Sequence, residues 1–379
     1  MDDLGRSPLM APTDCRALET EYRGRSVLLT GHTGFKGGWL AVWLNALGAQ
    51  VNGLALEPDT VPSFFEDAKV NEVCRGAFGD VRDLDTVRRV VRETRPAVIF
   101  HLAAQSLVRR SYEDPVATIA TNVLGTVHLL EALRLERVRA AVVVVTSDKC
   151  YENREWVYGY RELDPMGGRD PYSASKGAAE IMVHCFRASY FPPERLAHHG
   201  VAVATARAGN VIGGGDWAKD RILPDAVRAL TAGAPVPVRN PASIRPWSHV
   251  LEPLHGYLRL GAALLGPEAE RFCEPWNFGP APENACSVAL LIEEFLDAWG
   301  AGSSIHTSAP ASPPEAGILR LSIDKAITRL GWTPKWSLRQ AIDRTAAWYR
   351  AWERGARGDE LRALCLRQIA ELHADRQDA

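Results

Sequence analysis

Val27-Leu28-Leu29-Thr30-Gly31-His32-Thr33-Gly34-Phe35-Lys36-Gly37-Gly38-Trp39-Leu40 is the stretch on which the fold turns. An apolar run (Val27 to Leu29) enters a glycine-spaced turn, and an amphipathic run follows through Leu40, Val42, Trp43, Leu44 and Leu47. The order predicts strand, tight turn, helix. Gly31, Gly34 and Gly37 stand three apart, where a side chain would block the turn, the approach of a pyrophosphate, or the packing of helix on strand. The helix start then offers free N–H groups and a positive dipole end to an anion, with Phe35 and Lys36 beside it. A second strand (Val51 to Leu56) completes a β-α-β unit.

Outward from that unit, composition sets bounds. The chain has 379 residues, 46% hydrophobic and 24% charged, which suits one large or two modest globular domains. A formal net charge of -2 argues against a general nucleic-acid partner. Seven cysteines without a C-x-x-C pair fit reduced thiols and a cytoplasmic location. The ten histidines lack metal-ligand spacing, so no metal site is expected. The N-terminal stretch mixes Asp, Glu, Arg and Pro without the apolar centre of a signal peptide. No run approaches the roughly 20 apolar residues of a membrane span, so no membrane partner is expected.

Along the chain, Glu57 lies just past the second strand, twenty positions after Gly37. An acid there can accept from a ribose diol and repel a 2′-phosphate, which favours NAD over NADP; Asp59 competes for the role. Asp80 is placed for an adenine edge. Val98 to Gln105 reads as a strand running into small residues, with Leu102, Ala103 and Ala104 able to press against a dinucleotide. A helix is expected over Pro115 to Arg134, in which Asn122 braces neighbouring backbone. Ala140 to Thr146 reads as a central strand ending in Ser147-Asp148-Lys149, at the edge where an open parallel sheet faces its ligand.

Asp170-Pro171-Tyr172-Ser173-Ala174-Ser175-Lys176 opens another helix, with Tyr172 and Lys176 four apart on one face. A free tyrosine has a pKa of about 10 and is a poor base at neutral pH. A nearby ammonium favours the phenolate, which suits Tyr172 to accept the proton of a sugar hydroxyl. Beyond the strand Val201 to Arg207, the run Gly213-Gly214-Gly215 is the expected hinge between domains. Arg239 and Arg245 are candidates to clamp a diphosphate.

These residues resemble the extended short-chain dehydrogenase/reductase family. Several longer phrases are similar to its CDP-glucose 4,6-dehydratase branch: Thr30 to Gly37, Thr146 to Trp156, Arg207 to Trp217, and Ile244 to Val250. The likeness runs from about Arg23 to about Trp352. It implies a Rossmann-type, doubly wound α/β parallel sheet with a smaller, mixed C-terminal substrate domain. The divisions expected are a loose tail (1–22), an NAD-binding domain (23–213, with 246–280 returning to it), a sugar-nucleotide domain (214–245 and 281–355), and a C-terminal helix (356–379).

The resemblance also implies roles. Tyr172 would take the C4 hydroxyl proton, Lys176 would hold the ribose and keep Tyr172 acidic, and Ser147 would bind the C4 oxygen. Asp148 would protonate the departing C6 hydroxyl, so burial should raise its pKa. Lys149 stands where dTDP-glucose dehydratases carry a glutamate; it would be the C5 base or a charged stabiliser of the enolate. Asp80, Val81, Ala103 and Thr121 would line the cofactor, and Gln105, Ser106 and Asn210 the sugar nucleotide. Tightly bound NAD, CDP-glucose and a homodimer are the implied partners. A nucleotide-sugar 4-epimerase, which needs only Tyr172, Lys176 and Ser147, is the alternative, as is a dehydratase of another NDP-hexose.

Overall fold

In the computed structural model, residues 15–281, 284–307 and 319–374 are described. Seven strands form one parallel sheet: β1 (Ser26–Thr30), β2 (Gln50–Ala55), β3 (Arg75–Phe78), β4 (Val98–His101), β5 (Ala140–Val145), β6 (Val201–Ala208) and β7 (Pro275–Phe278). Their spatial order is β3-β2-β1-β4-β5-β6-β7. The order reverses between β1 and β4, so the carboxyl ends of these strands flank a crevice suited to a ligand. Every residue of β5 and β6 is buried, as expected of parallel strands covered by helices on both faces. The doubly wound α/β class is therefore as the sequence implies.

The helices that matter here are α1 (Cys15–Tyr22), α2 (Phe35–Ala46), α3 (Leu84–Thr94), α4 (Gly125–Glu136), α5 (Pro171–Ser189), α6 (Ile222–Thr231), α7 (Leu251–Leu265), α8 (Val288–Trp299), α9 (Leu338–Glu353) and α10 (Asp359–Ala374). β7 enters the sheet beside β6 after a long excursion, with Pro275 opposite Thr205 and Phe278 opposite Ala208. Three two-stranded ribbons lie outside the sheet: Val211–Ile212 with Ser248–His249, Val236–Val238 with Ser304–His306, and Ile244–Pro246 with Ala285–Ser287.

Three expectations need correction. Part of the supposed tail is ordered: α1 buries Leu18 and Tyr22, and the Tyr22 hydroxyl donates to Leu258 O at 2.7 Å. Residues 1–14 lie outside the described residues, as do 375–379 of the expected C-terminal helix. Gly213, Gly214 and Gly215 are no hinge. A Cβ on Gly214 would fall 2.0 Å from the Trp348 ring, and one on Gly215 would fall 2.3 Å from Phe64. Glycine is needed there because aromatic rings rest on the backbone, and at Gly215 also because φ is +82°.

The third concerns the helix over Pro115 to Arg134. It contains a π-turn at Ala120–Leu124 and continues to Glu136. By length and composition alone Pro115–Glu136 is apolar enough to cross a membrane, a test that the core helix of a soluble protein also passes. One side packs into the fold, through Asn122, Leu129 and Leu133, while Val116, Ile119 and Leu124 are exposed.

Candidate active site

The glycine turn is shaped by close approach. Gly31 adopts φ +80°, and a Cβ on it would sit 2.8 Å from Ala103 N. A Cβ on Gly37 would fall 2.0 Å from Gly31 O, so α2 packs directly on the turn. Gly34 differs: it is exposed, and a Cβ there would meet only Gly31 O at 3.5 Å. As N-cap of α2 it offers no side chain to the first N–H groups, and no acid stands in the first turn. The turn therefore presents open backbone donors at a helix N-terminus, which fits the pyrophosphate of a dinucleotide.

The rest of that cradle is laid out along the strand ends. Glu57 is exposed just past β2. Ala103 N donates to Thr30 Oγ1 at 3.1 Å, which fixes the small-residue bend between Leu102 and Ala104. Val81 is buried, and its carbonyl lies 3.1 Å from His128 Nδ1. Thr121 is half-buried beside Asn122, whose amide bonds Gln105 N, Gln105 O and Ser175 Oγ at 2.8–3.0 Å. Asn122 is the backbone brace the sequence suggests. Asp80 is closed on Arg82, at 2.8 and 2.6 Å to its guanidinium.

At the end of β5, Ser147 begins a short 3-10 turn over Asp148–Cys150. Its hydroxyl donates to Asp148 Oδ1 at 3.0 Å and accepts from Lys149 N at 3.2 Å. α5 starts with Asp170 as N-cap and Pro171 at its first position, which sets Tyr172 and Lys176 on the buried face. Tyr172 faces Ser147, Asp148 and Arg221. Lys176 Nζ donates to Val145 O at 3.3 Å. Gly209 passes so close that a Cβ on it would be 3.2 Å from Asp148 Oδ2, which brings the Gly209–Asn210 backbone to the same place.

Burial governs the proton affinities here. It raises the Asp148 carboxyl above the usual range, against Lys149, Ser147 and Lys36 pulling down. It pushes Tyr172 up to about 12, opposed by the hydrogen bond with Ser147 and by Arg221. It brings Lys176 down to about 8. Lys36 also falls to about 8, from desolvation and then from Arg221, in the field of Asp148 and Lys176. The cation whose field most clearly opposes burial at the phenol is Arg221.

Sequence reasoning missed Arg221. It donates to Asp216 Oδ2 at 2.8 Å and to Ser106 Oγ at 3.1 Å, and it precedes α6 directly after the glycine-tryptophan phrase. Two candidates are engaged elsewhere. The Gln105 amide is spent within its own turn, on Leu107 O, Leu107 N and Thr118 Oγ1. Arg239 pairs with Asp220 at 3.0 Å and Asp225 at 3.4 Å. Arg245 is half-buried in the Ile244–Pro246 strand and donates to Ile244 O at 3.0 Å. No group of three or more His, Cys, Asp or Glu able to hold a metal occurs among the described residues.

With this geometry in hand, comparison with known proteins is informative. The pattern of the GDP-mannose 4,6 dehydratase family matches residues 28–257. The chain is 50% identical over 334 residues to a CDP-glucose 4,6-dehydratase of Salmonella typhimurium, covering 88% of this chain and 93% of that protein. Among solved structures, the dTDP-glucose 4,6-dehydratase DesIV of Streptomyces venezuelae, with NAD bound, is 25% identical with TM-score 0.70, covering 86% of this chain and 96% of that one. A Thermus thermophilus UDP-glucose 4-epimerase in complex with NAD is 26% identical with TM-score 0.71, covering 86% and 98%.

Proposed function

The chain belongs to the GDP-mannose 4,6 dehydratase family, and on that premise we propose that it converts CDP-glucose to CDP-4-keto-6-deoxyglucose and water, using NAD. The observation that carries the reading is Asp148, a carboxyl buried beside Tyr172, whose hold on a proton burial raises above the usual range. Dehydration needs such an acid. A 4-epimerase would leave it without a task. The 50% identity to the Salmonella enzyme supports the choice of cytidine nucleotide.

Gly31, Gly34 and Gly37 at the start of α2, Glu57 past β2, and Lys176 would hold the dinucleotide. When bound, NAD supplies an acceptor for one hydrogen with its electron pair and gives it back before the turnover ends. Tyr172 takes the proton of the C4 hydroxyl, and Ser147 hydrogen-bonds that oxygen. The ketone so formed acidifies C5. Lys149, next to Asp148 on the same turn, takes the C5 proton, and the ammonium so formed stabilises the negative charge that develops on the C4 oxygen. Asp148 gives its proton to the C6 hydroxyl, which leaves as water. Arg221, joined to Ser106 and Asp216, stands across from Tyr172 and holds the phenol against the substrate.

The enzyme works as a cytoplasmic homodimer in deoxysugar biosynthesis. The exposed Val116, Ile119 and Leu124 of the Pro115–Glu136 stretch and Ile181 of α5 supply an apolar face for the second subunit. Incubation with CDP-glucose should yield a product with the alkaline absorbance of a 4-keto-6-deoxy sugar. Substrate deuterated at C4 should deliver its label to C6. An epimer formed without loss of water, or label washed into solvent, would rule this reading out.

A further inference from the structure

Beneath the site lies a buried ion pair that the proposed reaction does not use. Glu180 follows Lys176 by one turn of α5, so both side chains share a face. Each Glu180 oxygen accepts twice. Oε1 takes Thr146 Oγ1 at 2.5 Å and Arg207 Nε at 2.9 Å; Oε2 takes Thr205 Oγ1 and an Arg207 terminal nitrogen, each at 2.8 Å. The other Arg207 nitrogen donates to the Tyr151 hydroxyl at 2.7 Å and to Glu162 O at 2.9 Å, and the guanidinium lies 4.9 Å from the Tyr151 ring centre. The Tyr151 hydroxyl donates in turn to Asn277 Oδ1 of β7 at 2.8 Å. One connected set of bonds thus joins α5, β6 and β7 to both ends of the Ser147–Cys150 turn.

A buried ion pair is weak evidence for stability, since an apolar pair of similar volume often does as well. Its placement suggests another use. Lys176 is buried, and it donates a hydrogen bond to a neutral carbonyl, Val145 O. The groups that face it are Glu180 on its own helix, Cys150 on the turn, His101 on β4 and Lys36 on α2. Burial keeps Cys150 and His101 neutral, and Lys36 carries the same sign as Lys176. Of these groups Glu180 alone is an anion. Burial would raise its carboxyl, but Arg207 and the two threonines hold it below the usual range, so its charge is permanent.

We propose that Glu180 is a positioning residue that acts through Lys176: it supplies the fixed negative charge that keeps the buried ammonium protonated, while Arg207 anchors that charge and locks the catalytic turn to β6. The proposal rests on the role given to Lys176 above. Burial brings Lys176 down to about 8 even with Glu180 in place as the largest opposing influence. Without Glu180 the ammonium would be lost within the working pH range.

The test is Glu180→Gln, read two ways. The 15N resonance of the Lys176 amine, followed by NMR in nucleotide-free protein, should titrate about one pH unit lower than in the wild type. The alkaline limb of kcat should move down by the same amount, with KM for CDP-glucose little changed. Glu180→Asp should restore both. Because Glu180→Gln leaves Arg207 without its partner, the neutral pair Glu180→Gln/Arg207→Met is the second variant. It should fold and show the same displacement. A folded variant whose Lys176 titrates as in the wild type overturns the proposal. So does failure of the neutral pair to fold, which would make the ion pair a structural element only. If the amine shifts but no dehydration is seen in any form, the proposal on Glu180 stands and the reading of the reaction falls.

Discussion

Asp148 and Glu180 are both buried carboxylates, one at the tip of β5 and one beneath it, yet they lie on opposite sides of the ordinary range. Glu180 has four donors on two oxygens, two of them from a guanidinium. Asp148 has the Ser147 hydroxyl and the more distant fields of Lys149 and Lys36. Desolvation acts on both, and the supply of donors decides which form survives. Where the chain saturates a carboxylate it builds a foundation. Where it leaves one short of partners it keeps a proton available.

The largest effect that would sharpen this contrast lies at the open end of it. Tyr172→Phe removes the proton acceptor and should cut turnover by up to about 10⁴-fold while leaving the unfolding midpoint nearly unchanged. Asp148→Asn should lose about a hundredfold or more in product release of water, with C4 oxidation still detectable. Its effect on stability has a definite sign. A carboxyl raised in the folded state binds protons more tightly there than in the unfolded chain. Its contribution is therefore lost as pH rises from the unfolded value, about 3.9, through the folded one. The Asn variant escapes that loss, so at neutral pH it should melt no lower than the wild type, and the advantage should vanish in acid. A neutral-pH melting point well below wild type would break the contrast.

On the saturated side the order reverses. Arg207→Met leaves Glu180 buried without its guanidinium and should cost roughly 3–5 kcal/mol in urea unfolding. Gly214→Ala, which alters no charge, pushes a methyl into the Trp348 ring and should cost about 1–3 kcal/mol with the pH profile of turnover unmoved.

The same contrast marks what could be read from the sequence. The glycine turn, the Tyr172/Lys176 pair and the Ser147-Asp148-Lys149 strand end were legible because their parts are neighbours along the chain, within one turn or one strand terminus. The Glu180–Arg207 pair was not, because its partners come from α5 and β6, and no local spacing announces which strand faces which helix. Arg221 was hidden in the same way, since its meaning depends on Ser106 reaching it from another loop. Gln105 and Arg239 were assigned to the ligand because their partners, Thr118 and Asp220, lie elsewhere along the chain and no local spacing marks them. Gly213 to Gly215 misled for a different reason. In sequence, a glycine kept for freedom and a glycine kept for smallness are the same letter; here Trp348 against Gly214 marks smallness, while Gly215, at φ +82° against Phe64, needs both. The N-terminal reading failed on Leu18 and Tyr22, whose four-residue spacing matches one helical face but is too short a signal to outweigh the polar residues around it.

β7 has a consequence for how the protein is made. It is the outermost strand of the sheet on its side, and it pairs with β6 only after the intervening residues 209–274 have been synthesised. Until then the nascent chain displays Val201–Ala208, a strand that the finished sheet buries along its whole length, as a bare template for any other strand. Release of the chain before Phe278 has emerged would leave that template permanently open. Fragments ending between the two strands should therefore precipitate together rather than fold as smaller enzymes.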